Sequence, residues 1–176
     1  MIPLDDARWD DLKTAYHRHC GELLEWLHVA YNGNLTSDLL GDVINETQHQ
    51  GDTSTSMYAV APHLLELATK YNTDLSRELV IHAGLIHASS TSDNAISCPA
   101  ELLDDFKLSS CRGLQLVSAL FLHDTDPTIF KYLLAATAGF AGHGRIGRFI
   151  EGLEFEADGV WCSHLDDPIP DIQNGG

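Results

Sequence analysis

The sequence predicts an all-α protein built as a short array of antiparallel helix pairs, and two observations carry that prediction. Apolar residues recur at three- and four-residue steps along most of the 176-residue chain, which is the period of an amphipathic helix. Helix start signals fall near residues 36, 53, 74, 109 and 127. Their spacing gives helix pairs of roughly 35 to 50 residues, as in helical-repeat arrays. A compact irregular helical bundle is the main alternative for this single domain of residues 1–176.

The first quarter of the chain predicts two or three helices. Residues 3–31 carry periodic apolar positions for one helix or two, and Gly21 is a candidate break between them. Residues 32–34 (Asn-Gly-Asn) favour a turn, because Asn and Gly both tolerate positive φ. The next helix should begin at residues 36–38 and end at Gly51, a residue suited to the left-handed position after a helix.

Residues 48–68 are predicted to fold back on themselves as a helix end, a one-residue turn and a helix start. Asp52, Thr53 or Ser54 can cap the second helix, which should run to about residue 71. Pro62 lies inside its apolar pattern and should bend or end it. The side chains of His49, Gln50 and Asp52 at the turn are expected to hydrogen-bond helix ends, a structural role that we favour over a functional one.

This stretch, HQGD followed by Tyr-Ala-Val-Ala-Pro-His-Leu, resembles the signature of a family of bacterial HEAT-like helical-repeat proteins. The similarity covers about 20 residues, and Thr-Ser-Met before Tyr58 departs from the small residues that are usual there. The resemblance implies a short α-solenoid of stacked antiparallel helix pairs. Such proteins often look like immunity proteins encoded beside bacterial toxins. The resemblance implies no reaction.

Residues 73–140 predict four further helices. Thr73 or Asp74 should cap a helix that ends in a polar surface loop at residues 89–94. Pro99 suits the first position of a short helix, and residues 109–123 form a strongly apolar one. Asp126 and Pro127 then begin a helix that is apolar nearly all round and therefore expected to be central.

The glycine-rich stretch after residue 139 does not predict a nucleotide site. No strand precedes it, and neither the GxGxxG order nor a GKS ending is present. A short basic helix over residues 143–149 is the better interpretation. Residues 153–162 predict a small C-terminal β-hairpin or an extended arm around the turn Asp158-Gly159, and residues 165–176 a frayed tail.

Charge is the most unusual feature of the composition. The chain contains 26 acidic and 10 Lys or Arg residues, for a net charge of −16. Such a field opposes direct binding to nucleic acid or to an anionic membrane, because both require cationic side chains. It favours a basic partner and accelerates encounter with one. Solubility alone is the simpler explanation of the same charge.

The cysteines and the N-terminal residues indicate a cytoplasmic protein. Cys20, Cys98, Cys111 and Cys162 have no CxxC spacing, and no signal peptide or membrane-spanning run is present. Reduced thiols are therefore expected, although a pair between Cys98 and Cys111 is open. We expect a monomer or a weak homodimer.

No local pattern predicts catalysis, a metal or a cofactor. Ten histidines include no HExxH motif and no pair spaced by four residues, so three or four converging zinc ligands are not indicated. Gly142-His143-Gly144 lacks the serine of a nucleophile elbow. The expectation is a non-enzyme, with a histidine- or carboxylate-dependent hydrolase as a minor alternative.

Clusters of carboxylates are the candidate partner-binding residues. Asp38, Asp42 and Glu46 are spaced by four residues along the expected outer face of one helix, and a further group follows residue 150 where no Lys or Arg remains. Asp5, Asp6, Asp10 and Asp11 form another cluster. The residues predicted to bind the partner are Asp38, Asp42, Glu46, Glu151, Glu154, Glu156, Asp158, Asp166 and Asp167. A groove lined by them would mimic a phosphate backbone and suit a cationic nuclease or another nucleic-acid-directed toxin. A solvated outer surface, or a scaffold that inhibits nothing, is the alternative.

Overall fold

The computed structural model describes residues 1–49, 52–122, 126–156 and 159–162, with the backbone alone for residues 49, 52, 154–156 and 159–162. Within these residues the chain is all-helical apart from very short strands. The α-helices are α1 (Gly21–Tyr31), α2 (Ser37–Thr47), α3 (Ser56–Ala68), α4 (Thr73–Ser89), α5 (Leu103–Leu120), α6 (Pro127–Phe140) and α7 (Gly144–Glu151). Short 3-10 helices span Ala7–Asp11 and Ala100–Leu102. No described helix is both long and apolar enough to cross a bilayer.

Helix α3 forms the centre of the molecule. Every residue of this helix except Glu66 is buried, including Pro62 and His63. It packs against α4 and α5, and α4 in turn packs against α6 and α7. Pro62 does not end the helix, which continues to Ala68. The prediction that α6 would be central is confirmed only on its inner side, because Phe130 and Leu134 are exposed.

The prediction of helices throughout residues 3–31 is wrong for residues 12–20. After the first 3-10 helix the chain forms a tight turn closed by an antiparallel bridge between Lys13 and His19. Long-range hydrogen bonds hold this turn: the amide of Ala15 donates to the carbonyl of Glu46 (2.6 Å), and the amide of Ser56 donates to the carbonyl of Lys13 (3.1 Å). The expected break at Gly21 is confirmed as the start of α1.

The one-residue turn predicted at Gly51 is also wrong. Helix α2 ends at Thr47, where the next residue is extended, and strands β1 (Gln48–His49) and β2 (Asp52–Thr53) pair antiparallel before α3 begins. The conformation predicted for Gly51 lies outside the described residues. Among the predicted caps of α3, Ser54 accepts the amide of Met57 through its hydroxyl at 3.3 Å.

Close backbone contacts join α4, α6 and α7. A Cβ added to Gly139 of α6 would lie 2.1 Å from the carbonyl oxygen of Gly84 in α4, and one at Gly147 of α7 would lie 2.8 Å from the carbonyl oxygen of Ala135. Side chains at these positions would force the helices apart. Of the glycines in this stretch, Gly139, Gly144 and Gly147 are therefore packing positions, whereas Gly142 has a φ of 80° and open space around it.

The later helix boundaries follow local signals, with two differences. The side chain of Asp126 accepts the amides of Thr128 and Ile129, and Pro127 begins α6, as predicted. The cap of α4 is Asn72 rather than Thr73 or Asp74, and α5 is continuous where two helices were expected. Strands β3 (Leu153–Glu156) and β4 (Gly159–Cys162) pair antiparallel. The turn between them lies outside the described residues, so the complete hairpin stays a prediction.

Candidate functional site

The acidic surface of α1 and α2 is the candidate site for a partner. Thr36 caps α2 by accepting the amide of Leu39 at 3.2 Å, and Asp38 and Asp42 then follow on its exposed side. Helix α1, which packs against α2, exposes Glu22 and Glu25. Residues three or four apart on a helix lie within about 6 Å of each other. Each of these two helices thus presents a pair of carboxylates to solvent.

Glu46 does not belong to this exposed surface, which corrects the predicted stripe. Glu46 is only 7% exposed, and its carboxylate lies 3.9 Å from the guanidinium of Arg18. The turn of residues 13–19 contacts Glu46 at the end of α2, because the amide of Ala15 donates to its carbonyl. A buried, paired carboxylate is not available to a partner in this conformation.

The C-terminal members of the predicted site are only partly described. Glu151 ends α7 and is half-buried. Glu154 and Glu156 lie in β3, where the backbone alone is described. Asp158, Asp166 and Asp167 lie outside the described residues.

The N-terminal carboxylates divide into one paired group and exposed ones. Asp6 accepts the amide of Arg8 and binds its guanidinium at 2.8 and 2.9 Å. These hydrogen bonds lower the pKa of Asp6 to about 2. Asp5, Asp10 and Asp11 are exposed. Asp6 therefore has a structural partner, whereas Asp5, Asp10 and Asp11 are exposed to solvent.

An exposed turn next to the end of α2 was missed by the sequence analysis. Tyr16, His17, Arg18 and His19 are all exposed, and the guanidinium of Arg18 lies 5.2 Å from the centre of the Tyr16 ring. His17 has φ of 60°, a left-handed conformation that costs a non-glycine residue roughly 1 kcal/mol or more. The signal available in the sequence was the dense Tyr-His-Arg-His run, which the helical pattern of residues 3–31 obscured.

His63 of the signature stretch has a structural environment. Because the carbonyl of Ile2 only accepts hydrogen bonds, the Nε2–H of His63 donates to it (3.0 Å), and Nδ1 accepts the hydroxyl of Tyr31 (2.8 Å). Burial lowers the pKa of His63 to about 4. This neutral imidazole fixes the N-terminal segment and α1 onto α3.

His87 makes the one contact in the described residues that resembles a nucleophile and its base. Its Nδ1 lies 3.2 Å from the hydroxyl of Ser110 and its Nε2 lies 2.8 Å from that of Ser109, which donates to the carbonyl of Phe106. The ring stacks on Phe106 at 3.9 Å, and burial lowers the pKa of His87 to about 3. A general base works best with a pKa near the operating pH, so this geometry favours a packing contact between α4 and α5.

The described surface offers a small cleft between α3 and α5. It has a volume of about 160 Å³ and is lined by Met1, Pro62, Asp105, Leu108, Ser109 and Arg112. Pockets for small molecules usually measure about 300–1,000 Å³. Arg112 also binds Glu66 at 2.7 Å, which lowers the pKa of that carboxyl. The cleft does not support a small-molecule site.

Neither a metal site nor a disulfide is present among the described side chains. No group of three His, Cys, Asp or Glu in that part of the chain is placed to hold an ion. His82 is half-buried, and burial lowers its pKa to about 4. Cys20, Cys98 and Cys111 are free thiols, so the pair left open between Cys98 and Cys111 does not form.

Comparisons with family models, with curated proteins and with solved structures found no match to this chain. The resemblance of residues 48–68 to HEAT-like proteins therefore stays a prediction.

Proposed function

We propose that this protein is a non-catalytic immunity protein that binds a cationic toxin of the same bacterial system, in the cytoplasm, and blocks its active site or substrate groove. The observation that carries the proposal is the exposed acidic surface of α1 and α2, with Asp38, Asp42, Glu22 and Glu25. We further propose that the helices stack as antiparallel pairs of a short HEAT-like solenoid. The signature stretch supports that arrangement by resemblance alone.

Electrostatics gives this surface a specific partner chemistry. A toxin that acts on nucleic acid needs a cationic groove for phosphates. Carboxylates spaced about 6 Å apart along a helix can occupy such a groove in place of phosphates. Opposite net charges also accelerate encounter, an effect that salt reduces because the Debye length is about 8 Å at 0.15 M ionic strength. Inhibition would thus follow from occupation of the groove, without a chemical step.

The test is co-purification of this chain with the polypeptide encoded immediately upstream, followed by growth rescue when that polypeptide is expressed. The variant D38K/D42K should weaken the complex by about tenfold or more, and high salt should weaken the complex of the original protein. The matched control is E101K/D104K, which makes the same charge change at exposed residues of another surface. Circular dichroism should show both variants folded.

Two results separate the alternatives. A stable complex without growth rescue would favour a scaffold or adaptor that holds a protein without inhibiting it. Equal affinity for the original chain and for D38K/D42K would overturn the assignment of the α1–α2 surface, even if rescue occurred.

A further inference from the structure

The side chain of His63 in α3 joins two parts of the chain that precede it. Its Nε2–H donates to the carbonyl of Ile2 in the N-terminal segment, and its Nδ1 accepts the hydroxyl of Tyr31 at the end of α1. The rings of Trp9 and Tyr31 lie 5.9 and 5.6 Å from the imidazole ring. His63 is only 2% exposed, so water reaches the ring only when these covering groups move away.

The tautomer of His63 determines where an added proton binds. Because the carbonyl of Ile2 can only accept, Nε2 carries the hydrogen of the neutral ring and Nδ1 has the free lone pair. An added proton must therefore bind Nδ1, the atom that accepts the hydroxyl of Tyr31. Another acceptor near that hydroxyl is the thioether sulfur of Met1, at 3.8 Å, and it is a weak one. Protonation of His63 thus removes the hydrogen bond from Tyr31 to α3.

The charges near His63 only partly offset its burial. The carboxylate of Glu66, one turn along α3, is bound by Arg112 at 2.7 Å and by Lys70 at 3.7 Å. The carboxylate of Asp105 in α5 binds the N-terminal amine. Both carboxylates favour a charged imidazole, but each is already paired, and the amine opposes the charge. Burial is the larger effect, and it lowers the pKa of His63 to about 4.

Other hydrogen bonds between residues 1–47 and the later helices do not respond to acid in the same way. The hydroxyl of Tyr71 donates to the carbonyl of Ala30, and the amide of Lys13 donates to the hydroxyl of Thr55 at 2.8 Å. Hydroxyl and amide groups do not titrate between pH 5 and 8, whereas histidine does. The remaining histidines of residues 1–47 are already exposed to solvent: His17, His19 and His28.

We propose that protonation of His63 opens the contact between residues 1–47 and α3, so that the N-terminal segment and α1 detach before the later helices unfold. The proton binds Nδ1, the hydroxyl of Tyr31 loses its acceptor, and the charged ring becomes hydrated as the covering side chains leave. The later helices stay together because α4 packs against α3, α5, α6 and α7. This acid-sensitive opening does not depend on the proposed toxin.

Hydrogen exchange of the full chain, measured by mass spectrometry at pH 7.5 and pH 5.5 and corrected for the intrinsic effect of pH, tests the opening. With a pKa of 6.5 in the open state and about 4 in the closed state, the protection of α1 should fall about tenfold between these pH values. Helix α6 should be protected more strongly than α1 at both pH values, because its amides exchange only when the later helices unfold.

Two variants test whether His63 causes the fall in protection. In H63Q the side-chain amide can donate to the carbonyl of Ile2 and accept the hydroxyl of Tyr31, but it does not titrate. The fall in the protection of α1 should then shrink to less than about twofold. H87F removes a buried histidine of α4 and should retain the tenfold fall in α1. Circular dichroism at pH 7.5 should show both variants folded.

Three results would overturn the proposal. One is equal protection of α1 and α6 at both pH values, which would mean that the two helices unfold together. Another is protection of α1 that does not change with pH in the original chain. The third is an undiminished fall in H63Q. The first two concern the original chain, so they decide the matter even if H63Q does not fold.

Discussion

Residues 1–105 and residues 106–150 are both helical, yet their surfaces differ in chemistry. The first region exposes carboxylates such as Asp38 and Asp42, and only a minority of its large apolar side chains reach solvent. The second has almost no carboxylates and exposes side chains such as Leu122, Ile146 and Phe149. Helix packing constrains only the inner faces. The outer faces are free to differ, and here one carries carboxylates and the other carries apolar side chains.

Helix α4 joins the two regions. It packs against α3 in the first region and against α5, α6 and α7 in the second. We call the contacts of α4 with α5 and α6 the joint. Gly84 and Gly139 let the backbones of α4 and α6 approach closely, and His87 of α4 contacts Ser109 of α5. The predictions below test whether the joint or the separate regions limit stability.

The largest expected effect is acid destabilisation through His63 and His87. Burial lowers their pKa values from the ordinary 6.5 to about 4 and about 3. The unfolded chain therefore binds more protons than the folded one as pH falls below about 6.5. The free energy of unfolding should decrease from pH 7 to pH 5 by about 2 kcal/mol for each histidine. Urea denaturation at the two pH values measures this loss.

Variants of single histidines assign the loss to a region. H87F keeps an aromatic ring against Phe106 but removes the titrating group of the joint, so the difference between pH 7 and pH 5 should shrink by about 2 kcal/mol. The part that remains would belong to His63 of the first region and to His82 of α4, because burial lowers the pKa of each to about 4. H28Q changes an exposed histidine of α1 and should leave the difference unaltered. An unchanged difference in H87F would contradict the assignment.

The next effect comes from one methyl group at the joint. Alanine at Gly139 would place Cβ 2.1 Å from the carbonyl oxygen of Gly84 and force α4 and α6 apart. We expect G139A to lower the free energy of unfolding by about 2 kcal/mol, because backbone cannot move aside as a side chain can. The same change at Gly41 of α2, where nothing lies within 4 Å, should raise it by about 0.5–1 kcal/mol through helix propensity. Equal effects in the two variants would show that α4 and α6 do not pack closely.

A smaller effect is expected inside the second region. K131M removes the hydrogen bonds from the buried ammonium to the carbonyls of Glu151 and Leu153. Hydrogen bonds to charged groups contribute about 1.5–3 kcal/mol, and the apolar side chain offsets part of their loss. We expect a decrease of about 1 kcal/mol in urea denaturation. K107M, at an exposed residue of α5, is the control, and its free energy of unfolding should change little. A loss in K107M as large as that in K131M would contradict a stabilising role of the two hydrogen bonds.

Elements with local start signals were predicted well from the sequence. Thr36 precedes α2, Asp126 caps α6 with Pro127 behind it, and Gly144–Glu151 forms the expected short basic helix. In each case the residues that determine the boundary lie within one helical turn of it. Periodicity and capping are local properties, so they can be recognised from the sequence alone.

Elements held by distant contacts were not predicted. The turn of residues 13–19 depends on hydrogen bonds from Ala15 to Glu46 and between Lys13 and Ser56, more than 30 residues apart in each case. The same turn contacts Glu46, a buried residue that helical spacing had placed on an outer face beside Asp38 and Asp42. Solvent exposure was thus predicted correctly for Asp38 and Asp42 of α2 and incorrectly for Glu46, and their role in binding a partner stays a prediction.

The sequence by itself determined the helical class, most helix boundaries, and the separation of an acidic region from one almost without carboxylates. These properties follow from composition and from spacings of three and four residues. Only the tertiary structure decided which polar groups are buried, such as His63, His87 and Lys131, and which apolar ones remain exposed, such as Ile146 and Phe149. The physical reason is that burial depends on what another helix covers, and the covering helix is specified by residues far away in the chain.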